Sequence, residues 1–522
     1  MTTEVDGLLR ELKALEIVYE QGLLPEPAYV FKHAVIQDVA YNSLLVQRRK
    51  ELHRAVGYAI EDLYADRLTE HYEELAHHFQ HGEEWAKAFE YLARSGNRAK
   101  DAYANDTALD FFGRTLDVAA RVVPPLPAQR LIQVHQHRGR VFMLLARYDD
   151  AISESERMRA LAREAHDRRA EGEALADLAF AYWATFKTEH VPHVKRFAEE
   201  ARVIAEETGD QHVLARSLTY LGSFDQIGGR LLDADAKRGV AVAVEVHDGL
   251  SELFSLSFAC LSHIALGDYA EALAKLHDTL RKARDRNNAF FQGRLINTLG
   301  WLYQELGDFR RAHEHNRESL DVAARINNSN VEISAAINIG LDYLAFGEAT
   351  RAVGHLEETL TRIEKFGYGA HRWRWTIHAT AYLAEALLAA RNPAAAQVQA
   401  ERALAQAHAT GSMKYVGKCH ALLGDIALAE RHPSRAIEEF GRALDVARRL
   451  EYPTLTWQAA HRLAAAEWDA GKREDAVTHA GLAAETIATI TNRVPEPALR
   501  ETFLNWAPVN EAQALLDRLR RG

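Results

Sequence analysis

Three stretches decide the fold: ALGDYAEALAKLHDTLRKA at 265–283, ELGDFRRAHEHNRESLDVA at 305–323, and AFGEATRAVGHLEETLTRI at 345–363. Each carries a Gly-Asp or Gly-Glu turn whose glycine stands five residues before an alanine. Those alanines, Ala272, Ala312 and Ala352, are 40 positions apart. The series runs on through Ala396, Ala436 and Ala476 at steps of 44, 40 and 40. Backwards it passes Ala234, a degenerate unit near Val194, then Ala151, Ala108 and Ala88. Self-similarity at such a period marks a repeat architecture, here of about ten helical hairpins.

Each unit holds two amphipathic stretches with apolar residues at three- and four-residue intervals, joined by a short glycine turn. Leu299, Gly300 and Tyr303 fall on one stripe of the first helix, and Ala312, Leu320 and Ala323 on one stripe of the second. Gly300 and Ala312 are small because the paired helices must cross closely there. Gly307 can end the first helix in a left-handed conformation at little cost. One hairpin cannot bury its apolar face alone, so neighbours stack into a superhelix.

The Leu-Gly-x-x-Tyr run at 299–303 followed by Ala312 resembles the tetratricopeptide repeat, as does Leu423-Gly424 with Ala436, Phe440, Ala443 and Leu444. The period is 40 rather than the usual 34, and the consensus Trp and terminal Pro are mostly missing. The unit resembles the longer-helix variant of bacterial regulators and scaffold proteins. The expected fold class is all-α, a right-handed tetratricopeptide-like superhelix.

Composition narrows the function. The 522 residues exceed one compact core. Hydrophobic residues make up 48% and charged residues 26%, the mixture of a folded domain. The net charge of −11 disfavours sequence-independent nucleic-acid binding. Two cysteines, Cys260 and Cys419, form no disulfide framework and suit a reducing cytoplasm. Acids scattered through the first twenty residues exclude a signal peptide, and no uncharged run of eighteen apolar residues indicates a membrane span. A cytoplasmic protein is expected.

The opening differs from the repeats. LLRELKALEIVYEQG predicts a helix and a strand around Ile17–Tyr19, LLPEP a turn, YVFKH a second strand, and AVIQDVAYNSLL and RRKELHRAVGYAIEDLY two helices. This is the order found at the end of a winged-helix domain. The run YVFKHAVIQDVAYNSLL with RRKELH and HYEELAHHF resembles the junction between a STAND-type ATPase module and a C-terminal tetratricopeptide array in bacterial signalling proteins. The likeness is strongest to class III adenylate/guanylate cyclases with appended ATPase and repeat regions, and related junctions occur in large LuxR-type regulators. It covers residues 8 to about 120, and LRETFLNWAPVNEAQALL at 499–516 resembles the closing segment of the cyclase-linked proteins. The resemblance implies that the chain is the C-terminal portion of a larger protein with an upstream ATPase or cyclase module. The expected segments are a junction at 1–70, atypical hairpins at 71–125, the array at 126–490 and a capping helix at 491–522.

No GxxxxGK[ST] phosphate loop and no cyclase domain is present, so neither activity is carried over to this chain. No catalytic constellation with a local signature occurs, and pairs such as Glu199-Glu200 and Glu206-Glu207 read as solvated helix faces. His77, His78 and His81 lack HExxH or a nearby cysteine, so no metal and no cofactor is assigned. Cys260, equivalent in position to Gly300, reads as a small core residue. The resemblance places His33 where a winged-helix histidine senses bound ADP; otherwise it packs or caps at the strand–helix junction.

What remains is recognition. First helices line the concave face of stacked hairpins. With Gly300 at the close crossing, Arg294, Asn297, Trp301 and Gln304 should face that groove, with Arg216 and Gln226 from an earlier unit and Lys418 and Asp425 from a later one. Aromatic and Arg side chains are favoured at peptide-binding hot spots. Trp373 and Trp375 in HRWRWTIH sit where the period stretches, which leaves their direction open. The expected role is the non-catalytic sensor region of a STAND-type signalling protein, binding a protein or peptide. The alternatives are a free-standing scaffold and the effector arm of a LuxR-type regulator. No nucleic-acid or membrane partner is expected.

Overall fold

One turn geometry, repeated every 20 residues, organises much of the chain. Gly267, Gly307 and Gly347 take φ of 71°, 73° and 78°, the left-handed conformation that the sequence asks of Gly307. Halfway between them His247, Asn287 and Asn327 take φ of 54°, 49° and 48°. A second run follows at Arg391, Gly411, Arg431, Glu451 and Gly471. The Gly307 amide donates to the Gln304 carbonyl at 3.1 Å and the Asp308 amide to that of Tyr303 at 2.9 Å, satisfying carbonyls at the helix end. Asp308 then caps the next helix by accepting the Arg311 amide at 3.1 Å, as Asn288 and Asn328 do for Phe291 and Val331. The 40-residue period is thus two copies of a shorter module, one helix and one three-residue turn, used alike within and between hairpins.

The computed structural model describes residues 2–21, 28–145, 147–185, 190–228, 234–365 and 372–521, in two units divided after Leu145. The first unit contains α1 (Thr2–Ala14), β1 (Val18–Gln21), β2 (Ala28–Phe31), α2 (Ala34–Ser43), α3 (Val46–Leu63), α4 (Tyr72–His81), α5 (Trp85–Asp101), α6 (Asn105–Ala119) and α7 (Ala128–Leu144). The second opens with α8 (Tyr148–Glu164), α9 (Arg168–Thr185), α10 (Val191–Thr208), α11 (Gln211–Gly228) and α12 (Ala234–Glu245). Six helices of 17 residues follow: α13 (Gly249–Ala265), α14 (Tyr269–Asp285), α15 (Ala289–Glu305), α16 (Phe309–Arg325), α17 (Ser329–Ala345) and α18 (Ala349–Lys365). Then come α19 (Arg372–Ala389), α20 (Pro393–Thr410), α21 (Met413–Ala429), α22 (Pro433–Arg449), α23 (Pro453–Asp469) and α24 (Arg473–Arg493). The chain closes with α25 (Pro497–Asn505) and α26 (Ala507–Arg521), two helices where the sequence suggests one cap. The architecture is a tetratricopeptide-like α–α superhelix.

In the first unit β1 and β2 pair antiparallel, Val18 opposite Phe31 and Glu20 opposite Tyr29, which matches the expected helix–strand–strand–helix order. The expected LLPEP turn lies outside the described residues. Helices α3 to α7 share a core of Phe79, Phe89, Leu92 and Phe112.

The alanine series is the packing seam. Ala88, Ala108, Ala151, Ala272, Ala312, Ala352, Ala396, Ala436 and Ala476 are all fully buried, and Val194 fills the degenerate position; the side chain of Ala234 lies outside the described residues. Opposite the seam runs a second small series. A Cβ on Gly300 would stand 2.2 Å from the Asn316 Oδ1, on Gly340 2.5 Å from Leu356, and on Gly424 2.4 Å from the Phe440 ring. Each clashing residue is four positions after a seam alanine, so the large side chain of one helix lies over the glycine of its partner. Cys260, Ala384 and Ala464 hold equivalent positions and are fully buried. Of the four extra residues in the 44-residue step, three lie between α18 and α19, where six positions separate the helices instead of three, and the fourth lengthens α19 to 18 residues.

The second unit curls until its hairpin turns meet its C-terminal helices. Tyr269 and Thr454 share a hydrogen bond of 3.1 Å, Arg311 pairs with Glu496 at 3.1 Å, and Arg493 pairs with Asp268 and donates to the Leu266 carbonyl, both at 3.1 Å. Trp506 lies on the Gly307 turn, 2.8 Å from where a Cβ would stand, and Pro453 lies on Gly267.

Two glycine classes separate in a stability test. Gly300→Ala and Gly424→Ala should lower the unfolding free energy by about 1–3 kcal/mol through overpacking. Gly354→Ala and Gly441→Ala, in helices with no atom within 4 Å of the added carbon, should raise it by about 0.5–1 kcal/mol. Urea unfolding of the four variants would show both signs.

Candidate functional site

The concave side of the second unit is built, as the repeat register requires, from the first helices of successive hairpins. A cleft of about 1030 Å³, open to solvent, is lined by Leu261 on α13, Arg294, Asn297, Thr298 and Trp301 on α15, and Asn330, Ser334 and Asn338 on α17. Arg374, Trp375 and His378 on α19 and Lys414 and Tyr415 on α21 complete it. A second cleft of about 990 Å³ shares Trp301 and is lined by Gln304, Glu305, Tyr382, Glu385, Lys418, Asp425, Arg462 and Trp506. Six of the eight groove residues expected from sequence, Arg294, Asn297, Trp301, Gln304, Lys418 and Asp425, therefore line one cleft or the other.

Several of them also hold the wall together. The Trp301 indole donates to the Glu305 carboxylate at 2.9 Å, and the Tyr452 hydroxyl, from 147 residues away, donates to the same group at 2.8 Å. Burial alone would raise the Glu305 carboxyl, but Lys418, Lys414 and the Tyr452 and Thr454 hydroxyls hold it below the usual carboxylate range. The Lys414 ammonium sits 3.8 Å over the Trp301 ring.

Gln304 and Asn297 feed a buried amide–carboxylate network. The Asn297 amide donates to Asn316 at 3.1 Å, and the Asn316 amide to Asp342 at 2.9 Å. Gln304 donates to Asp342 at 2.6 Å and to the Asn338 carbonyl at 2.9 Å, and the His313 Nδ1 lies 3.2 Å from Asp342. Burial pushes the fully enclosed Asp342 carboxyl up, against the pull of Asn316, Gln304 and His313. Gln304 is only 4% exposed, so its role in the cleft wall is structural. A periodic pattern places a residue on a face without saying what lies beneath that face.

Arg216 is part-buried and forms an ion pair with Asp177 on α9, away from both clefts. The side chain of Gln226 lies outside the described residues, as does that of Trp373. Trp375 is buried, its indole donating to Ser334 at 3.1 Å. Asp425 pairs with Arg462 at 3.1 Å.

The register did not single out Arg374, His378 or Lys414. Their signal lay in spacing: Arg374 and His378 stand four apart on α19, as do Lys414 and Lys418 on α21. Burial and its neighbour Arg374 bring Arg294 down to about 10. Burial also lowers Arg374, with Tyr415 opposing. Burial, Lys418 and Arg374 lower Lys414 well below the usual lysine range, with Glu305 opposing. His378 is held well below the usual histidine range by burial and by Lys418, Lys414 and Arg374. Arg374, His378 and Lys414 keep part of their surface open, yet protein surrounds them, as on the floor of a narrow cleft.

Elsewhere, His33 is exposed at the N-cap of α2 and makes no side-chain capping bond. His53, His77, His78 and His81 cluster, with His53 Nδ1 3.0 Å from His78 Nδ1 and Tyr41 3.0 Å from His53 Nε2. Burial and the other three rings bring His53 down to about 4. No group of three or more His, Cys, Asp or Glu among the described residues is arranged to hold a metal ion. Cys260 and Cys419 are fully buried thiols, and burial raises each to about 12. No helix among the described residues is long and apolar enough to cross a membrane.

No family model and no curated protein matches the chain. Among solved structures, the chain is similar to the APC/C hetero-tetramer Cut9–Hcn1, at 14% identity and a TM-score of 0.48, covering 92% of this chain and 95% of that one. NprR in complex with its cognate peptide NprX matches at 12% identity and a TM-score of 0.41, covering 67% and 99%. The human IFIT1 dimer with m7Gppp-AAAA matches at 13% identity and a TM-score of 0.43, covering 83% and 90%.

Glu305 offers a pH-dependent check on the closure. Its folded carboxyl lies below the unfolded value, so its contribution to stability is present above about pH 4.5 and is lost as pH falls through the folded value. Tyr452→Phe removes a buried donor to it and should cost about 1.5–3 kcal/mol at pH 7. The deficit against wild type, measured by urea unfolding, should shrink as the buffer is taken below about pH 4.

Proposed function

We propose that the groove of the second unit binds a protein or peptide partner and that the chain acts as a recognition module without chemistry of its own. The observation that carries this reading is the convergence of five first helices, α13, α15, α17, α19 and α21, on adjoining clefts with Trp, Tyr and Arg side chains in their walls. These residue types dominate binding hot spots.

We read the wider context as the sensor region of a cyclase- or ATPase-linked STAND-type signalling protein in a bacterial cytoplasm. The helix–hairpin–helix at residues 2–43 would be the end of a winged-helix domain and His33 its nucleotide-sensing residue. What supports this is the likeness of the YVFKHAVIQDVAYNSLL junction. Partner binding would then bias an upstream switch only through different affinities for its two states. A native product well above 58.6 kDa, detected with an antibody to the repeats, would agree with that context. A product of that mass would favour the free-standing scaffold instead.

The groove itself is tested with peptides selected from a random display library against the full chain. Asn330→Trp fills the first cleft and should weaken selected peptides by about tenfold or more. Arg402→Gln, at an exposed position of α20, should leave them unchanged. Equal affinity in wild type and Asn330→Trp would place the binding elsewhere.

A further inference from the structure

The first cleft has an electrostatic character that its neighbour lacks. Arg294, Arg374 and Lys414 line it, with His378 among them, and among the described residues no carboxylate is in its wall. The second cleft contains Glu305, Glu385 and Asp425. Around the cations the remaining lining is neutral and rich in hydrogen-bonding groups: Asn297, Thr298, Asn330, Ser334, Ser412 and Tyr415. The nearest acid acting on Lys414 is Glu305, and its two oxygens already accept from Trp301 and Tyr452. That single negative charge faces both Lys414 and Lys418.

Cations crowded together in a low-dielectric cleft repel one another and lose hydration, and both effects are relieved when an anion enters. The cause of the lowering at each group has that form, burial first and neighbouring cations next for Arg294, Lys414 and His378. Charge-assisted hydrogen bonds from guanidinium and ammonium groups suit phosphoryl oxygens. Thr298 and Ser334 already donate to the Arg294 and Asn330 carbonyls, and Asn330 and Tyr415 can add donors for the remaining oxygens of a tetrahedral group, which has more acceptor directions than a planar carboxylate. A wall that sets three cations among its apolar residues is a poor fit to a continuous apolar peptide.

We propose that the cleft between α15, α17, α19 and α21 is a binding site for a small phosphoryl-bearing anion of at least two negative charges, held by Arg374, Lys414 and Arg294. The site lies within the groove proposed for peptide recognition and rests on that reading, so a peptide that reaches into the first cleft should compete with the anion.

The test is calorimetric titration of the full chain with inorganic pyrophosphate. The expected result is saturable one-to-one binding, weakened by about tenfold or more in Arg374→Gln and in Lys414→Gln. It should also weaken as NaCl is raised from about 50 to about 500 mM. Arg402→Gln should bind as wild type does. Arg374 is partly exposed and makes no ion pair among the described residues, so its variant should melt with the wild type and report binding alone. Absence of binding at millimolar pyrophosphate overturns the proposal, as does equal affinity in wild type and both cleft variants. A loss in Arg402→Gln as large as in Arg374→Gln would mean diffuse surface attraction and would also overturn it. If hexaglutamate binds, is weakened by Arg374→Gln, and pyrophosphate does not bind, the phosphoryl assignment falls while the peptide-binding reading stands.

Discussion

The second unit depends on one buried carboxylate. Glu305 ends α15, and its oxygens accept from the indole on its own helix and from the phenol of Tyr452, at the N-terminal edge of α23. A buried charge left without partners would cost several kcal/mol. The two hydroxyls and two ammonium groups around Glu305 offset that cost only when α15 and α23 lie together. The contact therefore does more than add a bond. It makes the curl of the array a condition for burying the charge, and the Tyr269–Thr454, Arg311–Glu496 and Arg493–Asp268 pairs follow along the same seam. The clefts lie inside that curl, so their walls are set by an interaction outside any single hairpin.

The repeat was legible because it is written in steric requirements. A small residue, nearly always alanine, fits a seam where two backbones approach, and glycine sits beneath a side chain such as Phe440. The half-period was harder to see. The turns between hairpins use Asn287, Asn327, His247 and Glu451 in the conformation that glycine takes within them. Asparagine reaches this region at modest cost, and a pattern search keyed on glycine passes over it.

The groove was legible in position and less so in chemistry. The register brought Arg294, Asn297, Trp301, Gln304, Lys418 and Asp425 to the concave side, because a helical period fixes direction. It could not show that Gln304 and Asn297 are engaged with Asp342 and Asn316, since those partners come from neighbouring helices. It also could not single out Arg374, whose helix begins after the lengthened connection where the count by forties fails. Charge crowding is a property of three dimensions, and the basic cleft forms from α15, α19 and α21 only once the array has curled.

Open arrays gain or lose repeats by duplication with little penalty, because each unit touches only its neighbours. Here that freedom is gone between α15 and α23. One more 40-residue unit inserted in this interval would carry Tyr452 away from Glu305, Thr454 from Tyr269 and Trp506 from the Gly307 turn. Copy number in this stretch is fixed by closure, so change in this lineage is expected as substitution within modules rather than as a change in their number.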